Sequence, residues 1–313
     1  MNIFDSLQSI FSIISMIIIG VFFSYKKWFN HDTAILFSKI VVNISVPGFM
    51  ISNLVTNYTK DKLIEVSGGF IIPFASMLIM YLLGFLLAKW IKVPENRRGI
   101  FASTIAISNT LFVGLPINLA LYGNDSVPYV FIYFIVNVSF FWTIGAWGIS
   151  RDGGLKGKLL SKNNLKKIFN VPLISFLIAV IIIFLEIPLP KFIMDTSKYM
   201  GNLLTPLSML YIGITIYMID FKKLVWDKSM TYLLIGRFII SPLLVLSLTN
   251  IIALPVLMRN VFMIQSAMPA MTVTTVLAQE AGADYEYATV LTTLTTIFTL
   301  IVIPIYLIVI RFI

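Results

Sequence analysis

The sequence predicts an all-α integral membrane fold with ten transmembrane helices, arranged as two inverted five-helix repeats. Composition is the first observation: 58% of the 313 residues are hydrophobic and 12% are charged, with a mean hydropathy of +0.94. Apolar runs are the second, because stretches of roughly 20 residues, enough for a helix to cross a bilayer, recur along the chain. The third is that basic loops alternate between the runs. These observations leave no stretch for a separate soluble domain.

The ten apolar runs are called spans one to ten, in chain order. Their predicted bounds are 5–24, 34–54, 66–90, 99–121, 128–150, 171–187, 199–219, 229–249, 257–278 and 287–310. Span one has no basic residue ahead of it and is followed by Lys26 and Lys27. That charge order is typical of a retained anchor with its amino terminus outside, and not of a cleaved signal peptide.

Basic residues accumulate on one side of the predicted membrane. The richer side holds Lys26, Lys27, Lys89, Lys92, Arg97, Arg98, Arg151, Lys156, Lys158, Lys162, Lys166, Lys167, Lys222, Lys223 and Lys228, and the other holds Lys60, Lys62, Lys191, Lys198, Arg259 and Arg311. The positive-inside rule makes the richer side cytoplasmic, so both termini face outward. We expect a multi-pass protein of the cell (plasma) membrane. This topology accounts for the net charge of +9, and no nucleic-acid partner is needed to explain it.

The longest predicted loop, 151–170, is rich in lysine, glycine and asparagine and separates two groups of five spans. We interpret 1–150 as the first repeat, 151–170 as a cytoplasmic linker and 171–313 as the second repeat. Because five is odd, the second repeat must be inverted across the membrane. A weak similarity supports this: Asn43 and Pro47 of span two recur as Asn202 and Pro206 of span seven. The prolines predict kinks and the asparagines interhelical hydrogen bonds, although Asn43 is also kept as a candidate substrate contact.

Spans four and nine are each interrupted near the midpoint by polar residues and proline. A single proline in a spanning helix is more often a simple kink, but paired interruptions in corresponding positions indicate the binding site of a transporter. Broken helices leave backbone groups and half-helix dipoles at mid-membrane depth. The candidate substrate-binding residues at the two breaks are Asn109, Thr110, Pro116, Gln265, Ser266, Pro269 and Thr272.

The polar residues deep in the spans are neutral or basic. Every aspartate and glutamate lies at or near a predicted helix end or in a loop, whereas cation and proton pumps usually keep an acidic residue inside the bundle. Amide donors and the amino-terminal ends of half-helices suit an anion. Arg237, in span eight, either bonds to carbonyls or a helix end, or compensates the charge of a substrate. The threonines of span ten, Thr292, Thr293, Thr295 and Thr296, predict packing, with hydroxyls bonded back to their own helix.

Three segments carry a family resemblance: SNTLFVGLPI (108–117), QSAMPAMTVTTVLAQEAG (265–282) and YATVLTTLTTIFTLIVIPI (287–305). They resemble the auxin efflux carrier family, which includes plant PIN proteins and bacterial malate-type permeases. The resemblance runs nearly end to end. Its most specific parts are the Asn-Thr and Gly-x-Pro pattern of span four and the Gln and Ala-Met-Pro pattern of span nine. TPLSMLYIG (205–213) is also similar to the family's seventh helix.

The resemblance implies that helices four and nine are unwound where they cross at their prolines. Helices one, two, six and seven would form a scaffold domain, and helices three to five with eight to ten a transport domain that moves like an elevator. The substrate would lie between them, and two copies would form a homodimer through the scaffold helices. Asn109 matches an asparagine that contacts the substrate carboxylate in plant members, and Gln265 and Pro269 match the second motif. Thr274 stands where plant members have a second proline, and the central loop is shorter, so auxin is not the expected substrate.

These observations predict a secondary transporter of small organic anions, such as mono- or dicarboxylates. A cytoplasm-negative potential drives anions outward by about 2.3 kcal/mol per charge at 100 mV, so export is the default for an uncoupled carrier. Uptake coupled to sodium or protons is an alternative, with the ion held by carbonyls of the breaks and by Asn and Thr oxygens. A membrane receptor that binds without translocating is another, but the loops are short and no output domain is present.

The sequence lacks the catalytic and metal-binding residues that common enzyme classes require. The chain has no cysteine and a single histidine, His31, which disfavours thiol chemistry, haem and a multi-histidine metal site. The basic loop after Asp152 resembles a phosphate-binding loop, but Asp152 replaces its first glycine and no Ser or Thr follows Lys158. HExxH, GxSxG and a deep carboxylate pair are absent. We therefore expect neither an enzyme nor a bound cofactor or metal.

Overall fold

The computed structural model describes residues 3–155, 162–219 and 226–310. Within these ranges the chain is helical, and the one extended pairing is an isolated antiparallel bridge between Ser108 and Ala270. The predicted cytoplasmic residues Lys156, Lys158, Lys222 and Lys223, and Arg311 of the opposite side, lie outside the described residues.

Eighteen α-helices, α1 to α18, make up the described chain. The first nine are α1 (Ile3–Tyr25), α2 (His31–Ile40), α3 (Val46–Asn57), α4 (Lys60–Val66), α5 (Ile71–Trp90), α6 (Arg98–Ala106), α7 (Leu115–Tyr122), α8 (Val127–Phe140) and α9 (Ala146–Asp152). The others are α10 (Lys162–Ile168), α11 (Val171–Phe184), α12 (Lys191–Gly201), α13 (Leu204–Tyr217), α14 (Lys228–Ile235), α15 (Ser241–Ile251), α16 (Val256–Ser266), α17 (Val273–Glu280) and α18 (Tyr285–Val309).

Spans two, five and eight are each a continuous helix with one wider, π-helical turn inside. The turns are Val41–Ser45, Phe141–Gly145 and Gly236–Ile240. Pro47 and Pro242 follow the first and third turns closely. Since proline has no backbone N–H, it cannot bond to the carbonyl four residues back, and the hydrogen-bond ladder widens there. The kink predicted at Pro47 therefore takes the form of a π-helical turn.

Six helical runs in the described residues are long and apolar enough to cross a membrane. They are His31–Asn57, Lys60–Trp90, Thr110–Asp152, Lys191–Tyr217, Lys228–Ile251 and Tyr285–Tyr306, with shorter apolar helices at Phe11–Tyr25 and Val171–Phe184. Spans four and nine do not qualify as whole helices because each is broken, leaving α6 with 9 residues and α16 with 11. The protein is thus a multi-helix membrane fold, while ten spans in inverted repeats stay a prediction.

The predicted linker, 151–170, is only partly loop. Helix α9 extends into it as far as Asp152, and α10 (Lys162–Ile168) lies within it. Two lysines in the last turn of α10, Lys166 and Lys167, suit a helix carboxyl terminus, which carries partial negative charge. A lysine-rich composition therefore suggested a loop where a short helix forms, and residues 156–161 lie outside the described residues.

Contacts divide the chain into two compact units. The first comprises Met1–Gly68, Leu115–Phe131 and Phe169–Ile219, and the second Gly69–Gly114, Ile132–Ile168 and Asp220–Ile313. In the first unit, close helix packing depends on glycine. A Cβ added at Gly213 would lie 2.2 Å from the Ile17 carbonyl oxygen, and one at Gly48 would lie 2.7 Å from that of Ser197. Small residues let the backbones of α1 and α13, and of α3 and α12, approach closely, as in other membrane helix pairs.

In the second unit, carboxylates cap the helix ends. Asp152 accepts hydrogen bonds from the backbone N–H groups of Gly99 (3.0 Å) and Ile100 (2.7 Å), at the start of α6. Asp284 accepts from Tyr287 N (2.9 Å) at the start of α18 and pairs with Arg97 at 2.7 Å. Both contacts satisfy backbone donors that a helix leaves unpaired at its amino terminus. They fix the start of α6, the helix that leads to the break in span four, and the start of α18, which forms span ten.

Candidate functional site

The two broken spans meet inside the second unit. Helix α6 ends at Ala106, where Ile107 turns to extended backbone (φ −108°, ψ 127°), and α16 ends at Ser266. Ser108 pairs with Ala270 in the antiparallel bridge, and Asn109 N donates to the carbonyl of Pro269 at 2.8 Å. The predicted interruption of spans four and nine is confirmed, and the two non-helical segments, 107–109 and 267–272, are here called the crossover.

Side chains from two other helices satisfy the backbone of the crossover. Asn137 of α8 accepts from Ser108 N through Oδ1 and donates to Ser108 O through Nδ2, both at 2.9 Å. Ala270 N donates to Thr295 Oγ1 of α18 at 3.0 Å. Unpaired backbone groups are costly where water is absent, so these two side chains make extended backbone possible at this depth.

Arg237, in the π-helical turn of span eight, is completely buried and donates to both breaks. Its Nε bonds to Met268 O (2.7 Å), and Nη1 bonds to the carbonyls of Thr104 (3.2 Å) and Ile105 (2.8 Å). Its Nη2 bonds to Ser108 Oγ (2.5 Å) and Pro269 O (3.3 Å). All five N–H groups that a guanidinium carries therefore have a protein acceptor. Of the two roles that the sequence left open, this geometry fits bonding to carbonyls at helix ends.

The amide side chains of Asn109 and Gln265 both form hydrogen bonds with the backbone of span four. Asn109 Oδ1 accepts from Phe112 N (3.3 Å) and begins the π-helical turn Thr110–Gly114, while Gln265 Nε2 donates to Thr110 O (3.4 Å). Gln265 Oε1 is buried with no hydrogen-bond partner in the described structure. The amide lies directly against Gly114, where an added Cβ would be 2.1 Å from Oε1. Span four therefore needs a glycine at position 114 to admit the glutamine.

The remaining candidates at the span-nine break bond locally. Ser266 Oγ donates to Met263 O at 2.8 Å, within its own helix, and the side chain is buried. The carbonyl of Thr272 accepts from Thr275 Oγ1 at 2.8 Å, and Thr272 itself precedes α17. The span-ten threonines behave as predicted in part: Thr292, Thr295 and Thr296 bond back to their own helix, but Thr295 also receives Ala270 N.

Comparison with known proteins decides the family. The family profile described as "Membrane transport protein" matches residues 5–307. The chain belongs to this family, the auxin efflux carrier family. An uncharacterised transporter of Methanocaldococcus jannaschii is 24% identical over 299 residues, covering 94% of this chain and 95% of the relative. One of Methanothermobacter thermautotrophicus is 24% identical over 309 residues, covering 96% and 97%.

Two candidates of this family member lie in its first unit. Pro116 is buried in α7, and Asn43 is exposed in the π-helical turn of span two. Asn43 Nδ2 donates to Lys39 O at 2.9 Å, one turn back in the same helix. The interhelical hydrogen bond predicted for Asn43 is therefore wrong, because the amide satisfies its own helix. The other candidates all belong to the second unit: Asn109, Pro269 and Thr272 lie in the crossover, and Thr110, Gln265, Ser266 and Arg237 belong to the helices around it.

The buried charge at the transporter's crossover is positive. Among the described residues with assigned burial, no aspartate or glutamate is buried, whereas Arg237 is fully buried. Nor do the described residues contain a group of three or more His, Cys, Asp or Glu that could hold a metal ion. The available ligands at the crossover are amides, hydroxyls and backbone groups.

Sequence reasoning missed Ser108 and Thr295 as parts of this transporter's crossover. Nor did it assign a partner to Asn137, a polar residue inside span five. Each is a small polar side chain near the middle of an otherwise apolar span, and that signal is shared with many residues that bond back to their own helix. Only the packing register between distant helices distinguishes the crossover residues from those that bond within their own helix.

Proposed function

We propose that this protein is a secondary transporter of small organic anions, with carboxylates as the substrate class and the crossover as the binding site. The observation that carries the proposal is the meeting of two broken helices at a buried polar centre that contains amides and an arginine and, among the residues described, no acid. An anion is favoured at such a centre because amide donors and amino-terminal helix ends offer it positive potential.

Two amides supply complementary groups for a substrate. Asn109 is buried, and its Nδ2 is a donor group that can bond to a carboxylate oxygen. Gln265 Oε1 is an unpaired acceptor, so it complements a hydroxyl group, an N–H group or a water molecule carried with the substrate. A molecule with a carboxylate and a nearby hydrogen-bond donor satisfies both amides at once.

The proposed mechanism is alternating access of the elevator type. The second unit, which holds the crossover, is the proposed moving domain, and the proposed dimer contact lies on the scaffold helices of the first. The proposed topology places both termini outside and the basic loops in the cytoplasm of a cell-membrane protein. Export is the proposed direction, because a cytoplasm-negative potential drives an anion outward.

A thermal-shift screen of the purified protein tests the proposal. The probes are lactate, malate, succinate and benzoate, because a ligand that binds the folded carrier raises its apparent melting temperature with concentration. We expect at least one carboxylate to stabilise the protein and Asn109→Ala to lose that response. Asn57→Ala is the matched control, since Asn57 is an exposed amide that bonds within its own helix at 2.9 Å.

Flux decides between a carrier and a receptor. In proteoliposomes, counterflow of the stabilising carboxylate should require intact Asn109, and its net flux should respond to an imposed membrane potential. Stabilisation without flux would indicate a binding protein, and flux that ignores the potential would contradict electrogenic anion export. An unchanged affinity in Asn109→Ala would place the site elsewhere.

A further inference from the structure

Arg237 is the one charged side chain that is completely buried in the described part of the chain, and none of its partners is an acid. Its hydrogen bonds go to four carbonyl oxygens and one hydroxyl. Burying a charge without a partner of opposite sign is strongly unfavourable. The compensation must therefore come from the backbone dipoles that converge on the guanidinium.

The acceptors of Arg237 lie at two carboxyl-terminal helix ends. Thr104 and Ile105 belong to the last turn of α6, and Met268 and Pro269 follow the end of α16. A helix carries roughly half a negative charge at its carboxyl terminus, so two ends together carry about one. One guanidinium neutralises both.

Two amino-terminal ends remain at the crossover without such a partner. The helical chain resumes at Thr110 in span four and at Val273, the first residue of α17, in span nine. Each end carries roughly half a positive charge. The four helix ends alone would cancel to about zero, whereas the four ends with Arg237 leave about one positive charge at the crossover.

We propose that Arg237 is the positioning residue that gives the crossover its preference for anions, acting without contact to the substrate. It holds the two carboxyl-terminal ends together, neutralises them, and leaves the amino-terminal ends to set the local potential. Direct contact with a substrate would require it to give up a protein hydrogen bond, because all five N–H groups are already used. The inference rests on the proposed function in one respect: the crossover is taken as the substrate site.

The test compares each carboxylate with its uncharged amide. Lactate, malate, succinate and benzoate are titrated against lactamide, malamide, succinamide and benzamide, and affinities are taken from the rise in apparent melting temperature. The measured quantity is the ratio of amide to carboxylate dissociation constants. For Arg237→Gln we expect this ratio to fall about tenfold or more, since the local charge drops by one. For Arg237→Lys, which keeps the charge but loses the planar fork, we expect lower thermal stability with the ratio within about threefold of the wild type.

Arg259→Gln is the matched control. It removes one positive charge from span nine at a side chain that bonds to Asn260 Oδ1 (3.2 Å), away from the crossover hydrogen bonds, and we expect an unchanged ratio. A purely structural role would lower stability in both Arg237 variants and leave the ratio unchanged, which would overturn the inference. If Arg237→Gln does not fold, Arg237→Lys decides: a retained ratio supports the inference and a lost ratio refutes it.

The two proposals fail in different ways. If no carboxylate stabilises the wild-type protein, the proposed substrate class is wrong. If a carboxylate stabilises it and the ratio survives Arg237→Gln, the substrate class stands and the role of Arg237 is wrong.

Discussion

Single residues at the crossover are constrained by contact as much as by chemistry. Gln265 is fully buried, and its amide lies against Gly114 with no side chain between them. A glutamine that cannot reach solvent cannot swing away from an added methyl group. The glycine in the Gly-x-Pro pattern therefore has a steric reason, distinct from any need for an unusual backbone angle.

We expect Gly114→Ala to destabilise the protein by about 1–3 kcal/mol, the usual cost of overpacking a filled site. The added Cβ would lie 2.1 Å from Gln265 Oε1, 2.8 Å from Cδ and 2.9 Å from Nε2. The measurement is the apparent melting temperature in detergent, where the variant should melt below the wild type.

A double-mutant comparison separates this contact from a general effect of alanine. On a Gln265→Ala background the obstacle is gone, so Gly114→Ala should cost much less than in the wild type. Gly68→Ala is the matched control, because nothing lies within 4 Å of an added Cβ there. Additive effects of the two substitutions would show that the close contact does not determine the glycine.

At the scale of helices, two unbroken elements support the two broken ones. Asn137 of α8 forms hydrogen bonds with both the N–H and the carbonyl of Ser108, and Thr295 of α18 accepts a hydrogen bond from Ala270 N. The extended segments thus acquire the hydrogen bonds that a helix would have supplied internally. Spans five and ten therefore supply hydrogen bonds that stabilise the crossover, although both spans are apolar in composition.

For Asn137→Leu we expect a loss of about 1–3 kcal/mol for each Ser108 backbone group left without a partner, because the replacement has a similar size and no polar atoms. Amide hydrogen exchange at 107–109 should accelerate along with a lower melting temperature. Thr143→Val provides the control. Thr143 lies just after the end of α8, and its Oγ1 donates a hydrogen bond back to Ser139 O in that helix at 2.7 Å. Unchanged exchange at the crossover in Asn137→Leu would refute the supporting role of α8.

At the scale of the whole molecule, the sequence predicts the membrane class and both helix breaks because their signals are local. Apolar runs, prolines and glycines can be recognised within a single segment of the sequence. The partners of the breaks do not, because Asn137, Arg237 and Thr295 reach the crossover from three separate spans, and helix register is set by packing. The division between Gly114 and Leu115 was likewise not predicted, since no change in composition marks it.

The predicted topology is testable because the chain contains no cysteine, so an introduced thiol has no background. We expect Lys92→Cys to react with a membrane-impermeant maleimide only when the cytoplasmic side is open, and Lys60→Cys to react in intact cells. Both lysines are exposed, so a difference in labelling reports sidedness and not burial. Labelling of both positions from the same side would contradict the predicted orientation.

The hydrogen bonds of the crossover backbone also bear on the carrier's reaction cycle. Ser108, Asn109 and Ala270 bond to protein groups, so the crossed segments keep their form with no solute present. A crossover that depended on its cargo for these bonds would be trapped when unloaded and could only exchange one solute for another. We expect instead that the unloaded form can reorient, so that a single solute gradient sustains net flux without a countersubstrate.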